Sequence, residues 1–295
     1  MNQTGIEWAD KTWNPIVGCT HGCTFCYARR MAKRFKRGVH FRADGSADHY
    51  GCQDCYDFRP HLHPERLGQP AAVQGGRIVF CGSMGDMFDA NVQPEWRHQV
   101  WAAMNDAWCH HYVVLSKRPD LVDAEELAQL YRGPMNGDLN GGGFWLGVSV
   151  TCDDDWWRVE RLVEIKHQSW GIGAIISFEP LLGPIEHDIP REIGWVIIGA
   201  QTGTGAIAPE PVWVGDIWLS ARPWAPVFEK DNLASVMPHK LPQQWPEAME
   251  METRGVVRRA GLQTRRRPMN GNGGASEEAP SGRPTGDGDG GGGAR

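Results

Sequence analysis

The sequence predicts an α/β protein built on parallel strands, and three observations carry that prediction. Short apolar runs rich in β-branched residues recur through the middle of the chain: "RIVFCG" (77–82), "YVVLS" (112–116), "FWLGVSV" (144–150), "AIISF" (174–178) and "WVIIG" (195–199). None alternates cleanly between apolar and polar, so each reads as a strand buried on both faces. Helical patterns separate most of them, and the runs start 35, 32, 30 and 21 residues apart, the spacing that βα units require.

A first strand is expected around "TWNPIVG" (12–18) and a last around "PVFEK" (226–230), for six or seven in all. "PEWRHQVWAAMNDAW" (94–108) puts Trp96, Val100, Ala103, Met104 and Trp108 on roughly one helical face. "DAEELAQLY" (123–131) and "DDDWWRVERLVEIKH" (153–167) behave alike, the latter opening with aspartates that suit a helix N-terminus. The strand runs end in polar or glycine-rich residues: "GSMGDMF", "SKRPD", "TCDDD", "EPLLGP" and "GAQTGTG". In a parallel barrel the loops at the carboxyl ends of the strands form the active site. The loop "GCTHGCTFC" (18–26) follows the first strand and would land on the same rim.

The bulk composition sets limits. Of 295 residues, 41% are hydrophobic and 22% charged, ordinary for a soluble globular chain with a sizeable core. The fourteen tryptophans are expected in the core or in pockets. A net charge of -6 exerts no global pull on nucleic acid, so any such binding would be local. No run of about 18 apolar residues exists, so no membrane span is expected. The start "MNQTGIEWAD" has neither a basic nor an apolar leader region, and the expected compartment is the cytoplasm. There the eight cysteines stay reduced and available as ligands. Five of them cluster, as Cys19/Cys23/Cys26 and Cys52/Cys55; Cys81, Cys109 and Cys152 stand alone. The expected organisation is a main unit over 1–235 with an inserted Cys/His-containing loop at about 38–66, an extension over 236–268 and a disordered Gly-rich tail over 269–295. The tail has almost nothing apolar to offset its ordering entropy. The basic run "RRAGLQTRRR" (258–267) reads as a solvated helix end or tail.

Cys19, Cys23 and Cys26 are spaced C-x3-C-x2-C, with Phe25 before the last. Zinc would want a fourth ligand, and His21 lies between the first two cysteines. An iron–sulfur cluster can instead be held by three thiolates, leaving one iron free for a small molecule. This spacing, with an aromatic before the last cysteine, resembles the signature of the radical S-adenosylmethionine (radical SAM) enzymes. The resemblance implies a [4Fe–4S] cluster on the three thiolates, with the amino and carboxylate groups of S-adenosylmethionine on the fourth iron. An electron from the cluster would then release a 5′-deoxyadenosyl radical that abstracts hydrogen from a substrate. It also implies a partial (β/α)6-type TIM-like barrel, which agrees with the strand count.

More of the chain is similar to a narrower group, the phage-associated three-Cys-motif family of radical-SAM-like proteins of unknown function. The matching segments are "IEWADKTWNPIVGC" (6–19), "CYARR" (26–30), "HPERLGQP" (63–70), "GSMGDMF" (82–88), "VLSKRP" (114–119), "WLGVSV" (145–150), "EPLLGP" (179–184) and "WVIIGAQTGTGA" (195–206), with "VFEKDNL" (227–233) near the end. Relatives often carry Gly-Glu-Ser where this chain has Ala200-Gln201-Thr202, which puts an acidic role there in doubt. If the chain is phage-encoded, the compartment is the host's cytoplasm.

The resemblance also implies roles for single residues. The segment after the second barrel strand would contact the methionine amino group, which makes Gly82, Ser83, Met84, Gly85 and Asp86 cofactor-site candidates beside Phe25. Ser149 would meet the cofactor's ribose or carboxylate, or bond its own backbone. Glu179 would bind a ribose or substrate hydroxyls, or pair with Lys117 or Arg118. Lys117 and Arg118 would hold an anionic group, or lie in a solvated loop, and Lys230 carries the same ambiguity. Glu179 and Lys117 are the catalytic candidates.

"CYARRMAKRFKR" (26–37) has six basic residues among the nine from Arg29 to Arg37. Tyr27, Met31 and Phe35 are expected as its buried stripe, leaving the charges to solvent or to a phosphate backbone. "HYGCQDCYDFRPHLHPER" (49–66) holds Cys52, Cys55, His49, His61 and His63. A C-x2-C with two histidines suits zinc, with Cys52, Cys55, His61 and His63 as the second metal group; unligated thiols are the other reading. Two functions follow: a radical SAM enzyme with an unknown electron donor and a nucleotide or nucleic-acid substrate, or a non-catalytic nucleic-acid-binding protein with two zinc sites. The residues select neither substrate nor reaction type.

Overall fold

A computed structural model describes residues 1–34, 38–41, 47–50, 52–130, 143–169, 171–238 and 241–249, without side-chain placement for the hairpin residues among 38–50 or for residues 129 and 130. The basic run 258–267 and the tail 269–295 lie outside the described residues, as do Phe35, Lys36 and Arg37.

The chain opens with β1 (Asn2–Gln3), β2 (Lys11–Trp13), β3 (Ile16–Val17) and α1 (Tyr27–Ala32). Then come β4 (Gly38–Phe41), β5 (Ala47–Tyr50), α2 (Gln53–Asp57), β6 (His61–Leu62) and β7 (Ile78–Cys81). The repeating part is α3 (Pro94–Asp106), β8 (His111–Ser116), α4 (Ala124–Leu130), β9 (Phe144–Ser149), α5 (Trp157–Gln168), β10 (Gly173–Phe178), β11 (Trp195–Ile198), α6 (Pro211–Ala221) and β12 (Val227–Glu229).

One eight-stranded sheet runs β1-β2-β7-β8-β9-β10-β11-β12. From β2 onward every neighbouring pair is parallel, and β1 is antiparallel at the edge. The five apolar runs all became strands, with "TWNPIVG" and "PVFEK" supplying β2 and β12. The expected first strand is broken: Pro15 lies between β2, which joins the main sheet, and β3, which pairs instead with β6. Because the seven strands are parallel, the segments that follow them share one edge of the sheet.

Both faces of the sheet are buried, as the unbroken apolar runs require. On one face Val79, Cys81, Tyr112, Val114, Leu146, Val148, Ile176, Phe178, Val196 and Ile198 pack against the helices, through Val100, Trp101 and Met104 of α3, Val159, Leu162 and Ile165 of α5, and Val214 and Ile217 of α6. Trp108 lies past the end of α3 and is exposed, outside the face expected for it. The three aspartates at 153–155 form a 3-10 turn that leads into α5.

On the other face Ile78, Val113, Ile175, Trp195, Ile197 and Phe228 close around Trp8, with Phe80, Leu115 and Trp145 beside them. Strands β7 and β11 are four places apart, about 19 Å if the sheet were flat. Yet Phe80 of β7 and Trp195 of β11 both touch the Trp8 ring, at centroid distances of 4.9 and 5.8 Å. The sheet therefore curls about this indole. Trp245 and Met249, from the segment expected as an extension, fill the same inner face, and Trp245 Nε1 donates to Trp8 O at 3.1 Å.

Trp8→Ala empties the centre of this curl. It is expected to cost about 3–5 kcal/mol of stability, against less than about 0.5 kcal/mol for the exposed Trp108→Ala. Urea midpoints of the two variants, compared at unchanged m-value, check the difference.

Candidate functional site

The segment after β3 carries the three cysteines, and it is fixed from two sides. Gly18 forms a parallel bridge with Gly85, in the segment after β7. Gly18 N donates to Met84 O at 2.9 Å, and Asp86 N donates to Gly18 O at 3.4 Å. A Cβ on Gly85 would stand 2.7 Å from Gly18 O and 3.0 Å from Gly18 N, so only glycine permits this approach. Further along, Thr20 donates its N–H and hydroxyl to Asp89 Oδ2, at 2.6 and 2.7 Å. Against the cost of burial, the donors from Asn91 and Thr20 hold the Asp89 carboxyl below its ordinary range. On the opposite side Cys19 N donates to Phe58 O at 3.3 Å, and Phe58 packs with Ala28 and Ala32 against Cys19 and Cys26.

Two of the sulfurs accept backbone amides. Cys26 caps α1, taking Arg29 N at 3.3 Å, and Cys19 takes His21 N at 3.4 Å. Burial dominates the proton affinity of Cys19 and Cys23. It pushes the Cys19 thiol up to about 12 and Cys23 upward as well, with Lys117 opposing it at Cys23. Both remain neutral thiols at neutral pH until positive charge arrives between them.

The sulfurs of Cys19, Cys23 and Cys26 do not all lie within 4.8 Å of one another. Among the described residues, the group of three or more ligands whose donor atoms all lie within 4.8 Å of one another is Cys52, Cys55, His61 and His63. A single zinc ion would draw thiolates to about 3.8 Å of one another. The Cys19/Cys23/Cys26 arrangement lacks that closure, and His21 does not complete it.

The other predicted residues gather along the strand ends but differ in their contacts. Ser83 exchanges hydrogen bonds with the side chain of Asn14 at 3.1 Å, and its carbonyl accepts the Tyr27 hydroxyl at 2.6 Å. Met84 N donates to Asn14 Oδ1 at 2.9 Å, and Gly82 turns the chain with φ of 87°. Asp86 is buried and ties the ends of β7 and β8 together, accepting Ser116 Oγ, Lys117 N and Phe88 N at 2.9, 2.9 and 3.0 Å. Burial pushes its carboxyl up despite those donors. Lys117 Nζ lies 5.9 Å from the centre of the Phe25 ring, which places it at the three-cysteine loop. Ser149 is buried at the end of β9, and its carbonyl accepts Arg158 Nη1 at 2.8 Å.

Glu179 pairs neither with Lys117 nor with Arg118. Its partner is Lys230, in a short charge-assisted contact between the ends of β10 and β12. Gly199, just past the end of β11 between them, makes this pairing feasible, because a Cβ there would meet Lys230 Cδ at 3.0 Å and Glu179 Cδ at 3.2 Å. Arg118 pairs with Asp120 instead. At the altered Ala200-Gln201-Thr202, Gln201 Oε1 accepts Ile207 N at 2.9 Å, and Asn232 brackets Ala200.

The basic helix departs from its expected packing. Tyr27 and Met31 are exposed, and Ala28 and Ala32 are the buried pair; the small side chains let α1 approach Phe58 closely. Its cations are partly committed within the chain. Arg29 Nη2 donates to Cys19 O at 2.8 Å and its guanidinium lies over Phe58, Arg30 reaches Thr202 O at 3.4 Å, and Lys33 lies over Tyr56. Sequence reasoning missed Asn14, Asp89 and Arg158. Arg158 is 6% exposed, bridges Asp155 and Ser149, and helps to lower the proton affinity of His21, for which burial is the larger cause. Its only signal was an arginine beside the apolar stripe of α5.

The C-x2-C group is drawn together as its composition suggested, and His49 falls outside the residues with described side chains. No helix among the described residues is long and apolar enough to cross a membrane.

No curated protein and no solved structure matches the chain. A family model does, that of a protein of unknown function (DUF5131), over residues 3–224. That match spans about three quarters of the sequence, and the chain therefore belongs to the DUF5131 family.

Proposed function

We propose that this protein is a radical SAM enzyme on a partial (β/α)6 barrel, with Cys19, Cys23 and Cys26 as ligands of a [4Fe–4S] cluster. The observation that carries the reading is the three-cysteine loop itself. It has the C-x3-C-x2-C spacing and is bridged through Gly18 to the segment after β7, at the carboxyl edge of the parallel strands. The donor set suits the cluster: three soft thiolates, two of them accepting backbone N–H groups. When bound, cluster and S-adenosylmethionine together supply a one-electron cleavage that yields a 5′-deoxyadenosyl radical for hydrogen abstraction.

The chain's own residues bind and orient. The carbonyls of Ser83 and Met84 each use one lone pair within the protein and keep a second for an ammonium group. Lys117, beside Phe25, offers its charge to a carboxylate. Glu179, held by Lys230, offers acceptors to ribose or substrate hydroxyls. The substrate we favour is a nucleotide or nucleic acid. Because Arg29, Arg30 and Lys33 are partly committed to contacts within the chain, any nucleic-acid contact is local. The rival reading, a zinc protein without catalysis, needs a single-ion geometry at Cys19, Cys23 and Cys26.

Anaerobic reconstitution with iron and sulfide is expected to load about four irons per chain at the three-cysteine site. With reductant and S-adenosylmethionine, the loaded protein should release 5′-deoxyadenosine, and Cys19→Ala, Cys23→Ala and Cys26→Ala should each abolish the release. Stoichiometric zinc at these thiols without cleavage would overturn the reading.

Lys117→Ala should weaken S-adenosylmethionine binding by about tenfold, equivalent to 1.4 kcal/mol, as read by calorimetry on the loaded protein. Gly85→Ala, which pushes the rim off Gly18, should cut iron loading by at least about half while the far-UV circular dichroism is retained.

A further inference from the structure

The segment from Cys52 to Glu65 has no part in that chemistry. We propose that Cys52, Cys55, His61 and His63 bind one zinc ion as a closed structural site, whatever Cys19, Cys23 and Cys26 hold. Cys52 Sγ lies 3.4 Å from His61 Nε2. Cys55 Sγ lies 3.3 Å from His61 Nε2 and 3.2 Å from His63 Nε2, and the two Nε2 atoms are 2.9 Å apart. Tetrahedral zinc, with bonds of about 2.3 Å to sulfur and about 2.0–2.1 Å to nitrogen, gives edges of about 3.5 Å between sulfur and nitrogen and about 3.3 Å between nitrogens. The observed edges are slightly shorter, so an ion fits after a small outward relaxation.

The hydrogen bonds of the two histidines suit a cation at the centre of the group. His61 Nδ1 lies 2.8 Å from Arg59 O, and His63 Nδ1 lies 2.8 Å from Glu65 Oε1. A carbonyl and a carboxylate can only accept, so each Nδ1 carries the hydrogen. In the neutral rings each Nε2 is then a bare lone pair, and the two face each other at 2.9 Å beside two sulfurs. Lone pairs at that distance repel unless something positive lies between them. An Nδ1–H held by a carboxylate or carbonyl is also the usual support of a metal-bound imidazole. Two thiolates and two imidazoles, with no carboxylate in the centre, select zinc over calcium or magnesium.

Four protein ligands leave no open position, so the role is structural. The site clasps the segment that backs the three-cysteine loop. Cys52 caps α2 and accepts Cys55 N at 3.4 Å. β6, which carries His61, pairs with β3, and His63 N donates to Pro15 O at 2.7 Å. Between the two ligand pairs lies Phe58, whose carbonyl accepts Cys19 N.

The test uses the full chain with Cys19, Cys23 and Cys26 all replaced by serine, so that any thiolate-bound metal must lie elsewhere. Elemental analysis after purification without chelator should find about one zinc per chain. Adding Cys55→Ser or His61→Ala should reduce it to below about a tenth of that, whereas His61→Cys should retain it, since Cys3His sites also hold zinc. Should the losing variants fail to fold, the parent chain stripped and reloaded with cobalt(II) decides the matter. Tetrahedral d–d bands with thiolate charge transfer support the site, and an octahedral, sulfur-free spectrum overturns it. Absence of zinc from the parent chain, zinc indifferent to Cys55→Ser, or stoichiometric iron in its place would also overturn the assignment.

Discussion

Gly18 is where three segments meet with no room for a side chain. Its φ of 96° is open to few residues other than glycine, and a Cβ there would overlap the Arg59 carbonyl. On its other side Gly85 approaches so closely that it too must be glycine. The turn into the three-cysteine loop is thus gripped between the end of β7 and the segment that links Phe58 to β6. The loop's position depends on that grip more than on its own short helix. At six residues α1 is too short to be stable alone, and it is fixed by the packing of Ala28 and Ala32 on Phe58.

The sheet supplies the frame for that grip. Its inner face is filled by aromatic and aliphatic side chains around Trp8, and that packing contributes stability. Asp86, Ser149, Glu179 and Lys230 lie along the edge where the parallel strands end, and there polar groups are tied to neighbouring elements. Asp86 joins β7 to β8, Arg158 joins α5 to β9, and Glu179 joins β10 to β12 through Lys230. Each bond places a charge whose solvation is already partly lost, so the positions at the rim are set by the fold rather than by a ligand.

The strands were legible because burial on both faces writes a continuous apolar run, and the parallel order follows from the intervening helices. The C-x2-C group was legible as a composition, since two cysteines and two histidines within twelve residues make up a zinc donor set. What escaped the reading has physical causes. Strands β3 and β6 have two residues each, too few to show a period, and their pairing is imposed by the loops around them. The helix at Tyr27 was read by the size of its apolar residues, yet close approach to Phe58 selects the small ones. The Glu179–Lys230 pair spans 51 residues and depends on the missing side chain of Gly199, which no local pattern records.

The two cysteine groups differ in what they ask of the chain. A closed site with four protein ligands draws its own segment together, because ion binding and local folding are the same event. An open site has one ligand fewer and must receive a cofactor in a fixed orientation, so its loop has to be shaped by something other than its own metal. At Cys19 the thiol is held neutral by burial, which leaves nothing but packing and backbone bonds to position it beforehand. On the proposed assignments the zinc clasp answers that need: zinc has no redox chemistry of its own, so the wall behind the three-cysteine loop would stay in place whether the cluster beside it were absent, oxidised or reduced.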